Sequence, residues 1–169
     1  MDYKLFRAIN LLSGRSRLLD GFMILLSNKV RYIFIFVLII MWFRNFSYRK
    51  ICINSILSSM ITMLINLIIK LFYFKPRPYM KHRVGILIPS KNDASFPSKH
   101  VLLMSAVTTS IFLRDRVLGA IMWILSILTA ISRVWVGHHY PSDLIGSAII
   151  GSLTSMIVEK ATESSSLRS

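Results

Sequence analysis

The sequence has a single cysteine, few acids and little charge of any kind. Cys52 stands alone among 169 residues, so no disulfide forms within the chain and a disulfide-built secreted scaffold is excluded. Charged residues are 17% of the chain, against about a quarter in average soluble domains. Disorder along the whole length is excluded too, because 54% of the residues are hydrophobic and mean hydropathy is +0.59. Acids are scarce: 7 Asp and Glu face 21 Lys and Arg, a net charge of +14. On a soluble protein that imbalance would point to nucleic acid. Here the cations sit between apolar runs with no basic and aromatic face, so nucleic acid is not expected as a partner and anionic lipid headgroups are. What remains is an integral membrane protein of one domain.

The apolar runs predict an all-α bundle of about five to six membrane-spanning helices. Five are expected at about 30–44, 50–73, 100–114, 117–133 and 143–159. Several are shorter than the roughly 20 residues a span usually takes, but their flanking Lys and Arg can snorkel. No alternating ten-residue pattern recurs, so a barrel is not expected. Near the N-terminus, Tyr3, Leu5, Phe6, Ile9 and Leu11–Leu12 share a helical face opposite Lys4, Arg7 and Asn10, which predicts a short interfacial helix. Residues 16–28, interrupted by Asn28 and Lys29, read as a second short helix or a sixth span. Residues 1–160 make one domain and 161–169 a polar, disordered tail. No cleavable leader is expected.

Arg44–Lys50 and Arg114–Arg116 are short basic loops, which the positive-inside rule assigns to the cytoplasm. Loops 74–99 and 133–143 then share the opposite face. Loop 74–99 is also basic, with Lys75, Arg77, Lys81, Arg83, Lys91 and Lys99. Charges that break the rule on an outer face point to another task.

Three segments converge on that face. Lys70 ends the long helix, with Arg77 and Pro78 beyond it. Pro97, Ser98, Lys99 and His100 enter the next helix. Ser132 and Arg133 leave one helix, and His139 and Asp143 begin another. Lys70, Arg77 and Arg133 are cations suited to phosphate oxygens. The backbone N–H groups opening a helix at Ser98–Lys99 favour an anion. Asp143, four residues after His139, can accept from one imidazole nitrogen and leave the other as a nucleophile, with His100 as general acid. Together they describe phosphoryl transfer with no metal and no cofactor.

Taken singly, these residues have plainer readings. Lys70 and Arg77 suit interfacial flanks, Ser98 and Asp143 helix caps, and His138–His139 a polar turn. His82, His100, His138 and His139 could hold a transition metal, though no acidic or cysteine ligand set accompanies them. Trp135, Tyr140 and Tyr73 read as interfacial aromatics, and the nine Met as core filler.

The three segments in order, Lys70-x6-Arg77-Pro78, Pro97-Ser98-x-His100 and Ser132-Arg133-x5-His139-x3-Asp143, resemble the type 2 phosphatidic acid phosphatase superfamily. The resemblance implies that Lys70, Arg77, Arg133, Ser98 and the backbone of Lys99 hold the phosphate. His139 would attack it, Asp143 would orient His139, and His100 would protonate the leaving group. One position departs: Lys99 stands where the family usually has Gly. The backbone donor survives that change, so Lys99→Gly is expected to keep activity, while the side chain adds a cation or limits bulk at the mouth.

Chain size, Ile9–Asn10, Leu19–Asp20 and the Arg133–Asp143 segment look like bacterial undecaprenyl-diphosphate phosphatases of the bacitracin-resistance type. That likeness implies hydrolysis of a polyprenyl diphosphate carrier at the outer face of the cytoplasmic membrane, for cell-wall synthesis. Alternatives are a phosphatidylglycerophosphate or phosphatidate phosphatase, a lipid carrier or flippase that keeps the anion site, and a metal transporter.

Overall fold

The structure is a computed structural model that describes residues 2–89 and 93–166, with side chains described through residue 164. Seven helices follow in order: α1 (Asp2–Asn10), α2 (Arg17–Arg44), α3 (Phe46–Phe72), α4 (Pro78–Lys81), α5 (Lys99–Arg114), α6 (Arg116–Trp135) and α7 (Pro141–Ser166). No strand occurs among the described residues.

The turns at one end are minimal because the sequence supplies a capping residue at each. Asn45 alone separates α2 from α3, and its side chain accepts from Tyr48 N at 3.0 Å. Asp115 alone separates α5 from α6 and accepts from Leu118 N at 3.0 Å. Tyr48 Oη donates to Asp115 at 3.0 Å, which ties the two turns together.

Helix α2 corrects the expected break at Asn28–Lys29. It runs unbroken for 28 residues, about 42 Å, so residues 16–28 are neither a separate helix nor a sixth span. Polar residues cost a helix interior only tenths of a kcal/mol each, and Lys29 turns outward onto the Tyr32 ring while Leu26, Val30 and Phe34 face the bundle. Since α2 crosses once, α1 lies at the same end as the loops that follow α3 and α6. It is also docked there. Phe6 is fully buried against Tyr140, and Asn10 donates to both Gly85 O and Trp135 O at 2.9 Å. Leu5, Leu11 and Leu12 stay exposed, as an interfacial helix requires.

Four helices, α2, α3, α6 and α7, are long and apolar enough to cross a membrane, and they present rows of exposed Leu, Ile and Phe as a lipid-facing protein does. Helix α5 has only 16 residues and is the axis of the bundle, packed on α7, α6, α3 and α2. Its faces carry small polar residues that bond across: Thr108 with Ser126 at 3.2 Å, Thr109 with Ser152 at 3.1 Å, and Ser110 with Ser155 at 2.7 Å. Small residues let these helices approach closely. A Cβ on Gly151 would lie 2.4 Å from Leu102 O.

The expected tail from 161 is helical through Ser166, continuing α7. Arg114 pairs with Glu159 and Glu163 and holds this extension against the bundle. Residues 167–169 of that tail, and Lys91 of the basic loop, lie outside the described residues. Trp135 and Tyr140 are buried rather than interfacial, whereas Tyr73 is exposed.

Candidate active site

The site forms where α3 and α6 end and α5 and α7 begin. Pro141 opens α7 and places Asp143 in its first turn. There the Asp143 carboxylate reaches back to Tyr140 N at 3.1 Å, the acid half of a capping box. Before it, Gly137 adopts φ +87° with Gly85 O pressed against the position a Cβ would take, so the turn that delivers His138 and His139 requires glycine.

His139 is buried, and its Nδ1 lies 2.7 Å from Ser95 O. A carbonyl only accepts, so Nδ1 carries the proton and Nε2 presents a lone pair. Burial, then the nearby Arg133 and Arg77, push the imidazole well below the usual histidine range, against a smaller opposing effect of the Ser95 carbonyl. His139 is therefore neutral at pH 7, as a nucleophile must be.

Asp143 corrects the expected role of direct partner to His139. Its Oδ2 accepts Ser95 Oγ at 2.5 Å and its Oδ1 accepts Lys75 Nζ at 2.6 Å. Ser95 thus stands between them, bonded to Asp143 by its hydroxyl and to His139 by its carbonyl. The reason is the capping geometry, which commits the carboxylate to the start of α7. Lys75 is the counter-ion of this fully buried carboxylate. Burial alone would lower the lysine, but the hydrogen bond and charge of Asp143, with Asp2 behind it, lift it above the usual range. Asp2, from α1, also accepts Ser142 N at 3.0 Å and Ser142 Oγ, so the N-terminal helix braces the start of α7.

The cations meet around this pair. Arg77 is buried, with Nη1 donating to His138 O at 3.4 Å and Nε to Asp93 O at 3.2 Å. Arg133 is buried and donates to Ser27 Oγ at 2.8 Å, leaving its Nε without a partner among the described residues. Ser98 occupies the N-cap of α5, yet its Oγ caps nothing and is buried without a partner among the described residues. Two orphaned buried donors beside three cations fit an anion such as phosphate. Lys70 donates to Ala94 O at 3.0 Å. His100 is half-buried at the start of α5, within electrostatic reach of Arg133, Arg31, His138 and Arg77. The Lys99 side chain is exposed.

Three members were missed from sequence. Asp93 lies 3.2 Å from Lys70 Nζ and 2.6 Å from Arg77 Nη2, the latter an ion pair off hydrogen-bond alignment. It is the only acid of the basic loop, which was a usable signal. Lys75 was visible only as one loop cation among six. Ser95 acts through its carbonyl as well as its hydroxyl, and a carbonyl leaves no mark in a sequence.

The four histidines do not form one cluster. His82 stacks on Tyr3 at 4.0 Å, and His138 donates from Nε2 to Ile88 O at 2.8 Å. Among the described residues no three His, Cys, Asp or Glu side chains come together in a set that could hold a metal ion.

Residues 51–164, which hold every one of these motif positions, match the PAP2 superfamily. The chain belongs to the PAP2 superfamily. It is 37% identical over 151 residues to undecaprenyl-diphosphatase BcrC of Bacillus subtilis, covering 89% of this chain and 78% of that protein. It is 32% identical over 164 residues to an undecaprenyl-diphosphatase of Sulfolobus acidocaldarius, covering 92% and 76%. Among solved structures, LpxE of Aquifex aeolicus superposes with a TM-score of 0.77 at 28% identity, over 94% of each chain. This PAP2 chain is thus an all-helical, multi-pass membrane protein whose motif residues all line one end of the bundle, with α1 and α2 lying outside the matched range.

Proposed function

We propose that this protein hydrolyses undecaprenyl diphosphate to undecaprenyl phosphate and inorganic phosphate, through a phosphohistidine on His139 and without a metal. The observation that carries the reading is the His139 Nδ1–Ser95 O bond, which fixes a buried, neutral imidazole with Nε2 free among Arg77 and Arg133. Lys70, Arg77, Arg133, Ser98 Oγ and the Lys99 N–H hold the terminal phosphate. Its developing charge is met by fixed donors. The Nε2 lone pair forms the N–P bond as the bond to the bridging oxygen breaks. That oxygen takes the proton of His100, whose cationic form is kept by the bound diphosphate. His100 then accepts a proton from water as water attacks phosphorus. Phosphate leaves, and the N–P electron pair returns to Nε2. Asp143 and Lys75 keep Ser95 in place throughout.

The undecaprenyl substrate is supported by the two diphosphatase relatives and by a site set at the membrane surface. The basic turns at Arg44–Lys50 and Arg114–Arg116 support placing those turns in the cytoplasm and the site on the outer face of the cytoplasmic membrane, where a carrier used for cell-wall synthesis is recycled. Such recycling would also confer bacitracin resistance. The test is phosphate release in detergent with excess chelator, from undecaprenyl diphosphate, phosphatidylglycerophosphate and phosphatidate, by wild type and His139→Ala. Preference for the polyprenyl diphosphate, lost in the variant and unaffected by chelator, is expected. Equal release from all three lipids would replace the substrate assignment with a general lipid phosphatase. Restoration by added divalent metal after chelation would overturn the metal-free chemistry. Lipid movement across vesicles that persists in His139→Ala, without release, would make the protein a carrier.

A further inference from the structure

A groove of about 430 Å³ opens beside His100, between α2, α3 and α5. Phe34 and Leu38 of α2, Met63 of α3 and Leu103 of α5 make its walls, and Ser59 is the sole polar residue below the mouth. From Arg31 to Leu38 it descends about 10 Å along α2. A second apolar groove, of about 340 Å³, shares Ile35 and Leu38 with it and continues to Trp42 and Phe43. The mouth differs in character. Arg31, Lys99 and His100 line it, Arg31 and Lys99 are exposed, and neither has a carboxylate partner among the described residues. Arg31 is steadied over the Tyr32 ring at 5.0 Å, and its charge reaches both His100 and Arg133.

The chemistry orients what enters. His100 gives its proton to the oxygen that leaves, so the leaving group lies on the His100 side of the phosphorus, opposite His139. In a lipid diphosphate that leaving group is itself a phosphate on a chain. Its charge then falls at the mouth and its chain in the apolar groove. In a lipid monophosphate the same place receives an uncharged ester. We propose that Arg31 and Lys99 bind the chain-proximal phosphate of a lipid diphosphate whose chain fills the groove, and so set the preference for diphosphates over monophosphates. This rests on the phosphatase reading above. It also gives a task to the Lys99 side chain and to a residue of α2 that lies outside the matched range.

The test measures kcat/KM on farnesyl diphosphate and on phosphatidate in detergent, for wild type, Arg31→Gln, Lys99→Gln and the double variant. Phosphatidate, with no second phosphate, supplies the reference for the ratio, and the thermal midpoint in detergent reports that each variant is folded. The diphosphate-to-monophosphate ratio is expected to fall about tenfold in each single variant and about thirtyfold or more in the double variant, the loss of charge-assisted bonds to one phosphate. Leu103→Trp, which fills the groove, is expected to raise KM for farnesyl diphosphate and to leave that for isopentenyl diphosphate, with its short chain, nearly the same. A ratio unchanged in the double variant overturns the inference while the phosphatase reading stands. A wild type that releases phosphate from neither lipid overturns both.

Discussion

The two ends of the bundle use the same kinds of residue to opposite effect. At the turn end the capping side chains and the buried carboxylate are spoken for, although Ser55 Oγ of α3 is not. Asn45 and Asp115 cap helices, Tyr48 bridges the caps, and Glu159 takes Asn54 as well as Arg114. At the site end the donors are left open: Ser98 Oγ and Arg133 Nε are buried without partners, and His139 keeps Nε2 unengaged. An unmade hydrogen bond in a dry interior costs about 1–3 kcal/mol. Such costs are tolerated where a ligand removes them. The difference teaches that satisfaction, more than residue type, separates groups that hold the fold from groups that hold a substrate.

The largest break in that comparison comes from His139→Gln. Losing the proposed nucleophile is expected to lower kcat by about ten-thousandfold or more, as in other enzymes whose nucleophile acts within a unit. The thermal midpoint should change by a few degrees at most, because Gln keeps an N–H donor for Ser95 O. A phosphoenzyme labile in acid and stable in base should form in wild type and be absent from the variant.

Lys75→Met comes next and strikes both properties. It leaves the Asp143 carboxylate buried and unpaired, a defect worth about 3–5 kcal/mol in a fully dry site and less here, since the lysine is partly exposed. A loss of about 2 kcal/mol is expected in detergent denaturation, with kcat down about tenfold as Ser95 and His139 loosen. Lys75→Arg should recover most of kcat. Recovery of stability without kcat would mean that Lys75 only braces α7.

Glu159→Gln sharpens the contrast from the other end. Arg114 loses its buried counter-ion and Asn54 a charged acceptor. About 1–2 kcal/mol of stability should go, with kcat and KM as in wild type. A drop in kcat would show that the two ends are coupled through α5.

How much of this was legible in the sequence follows the same division. Three motif segments located the cations and the histidines that meet at one end of the bundle, because side chains of fixed chemistry at fixed spacing are what a sequence displays. Apolar runs located the long helices. The relay from Asp143 to His139 was not legible, since its middle link is the Ser95 carbonyl. Asn28 and Lys29 suggested a break because polarity marks the membrane boundary, yet polarity does not end a helix. The helical continuation past residue 160 depends on Arg114, about 45 residues away in sequence and visible only after folding.

The smallest effect concerns pH. His138 is buried, and burial with Arg133 close by holds it at about 4, against 6.5 for a free histidine, with the Ile88 carbonyl pulling weakly the other way. Between these values an unfolded His138 binds a proton that the folded one refuses. Unfolding therefore takes up protons, and stability falls as pH drops from 6.5 toward about 4. His139 adds to the same trend. His138→Gln keeps an N–H donor for Ile88 O and removes the titration. Its thermal midpoint should match wild type within about two degrees at pH 7.5 and should decline less steeply toward pH 4.5. An equal decline in both proteins would place the acid sensitivity elsewhere, with His139 first in line. The Asp2 carboxylate is held low by Ser142 and Lys75 against the effect of burial, so its contribution is lost only as pH falls from 3.8 toward its own lowered value, below the range of this test.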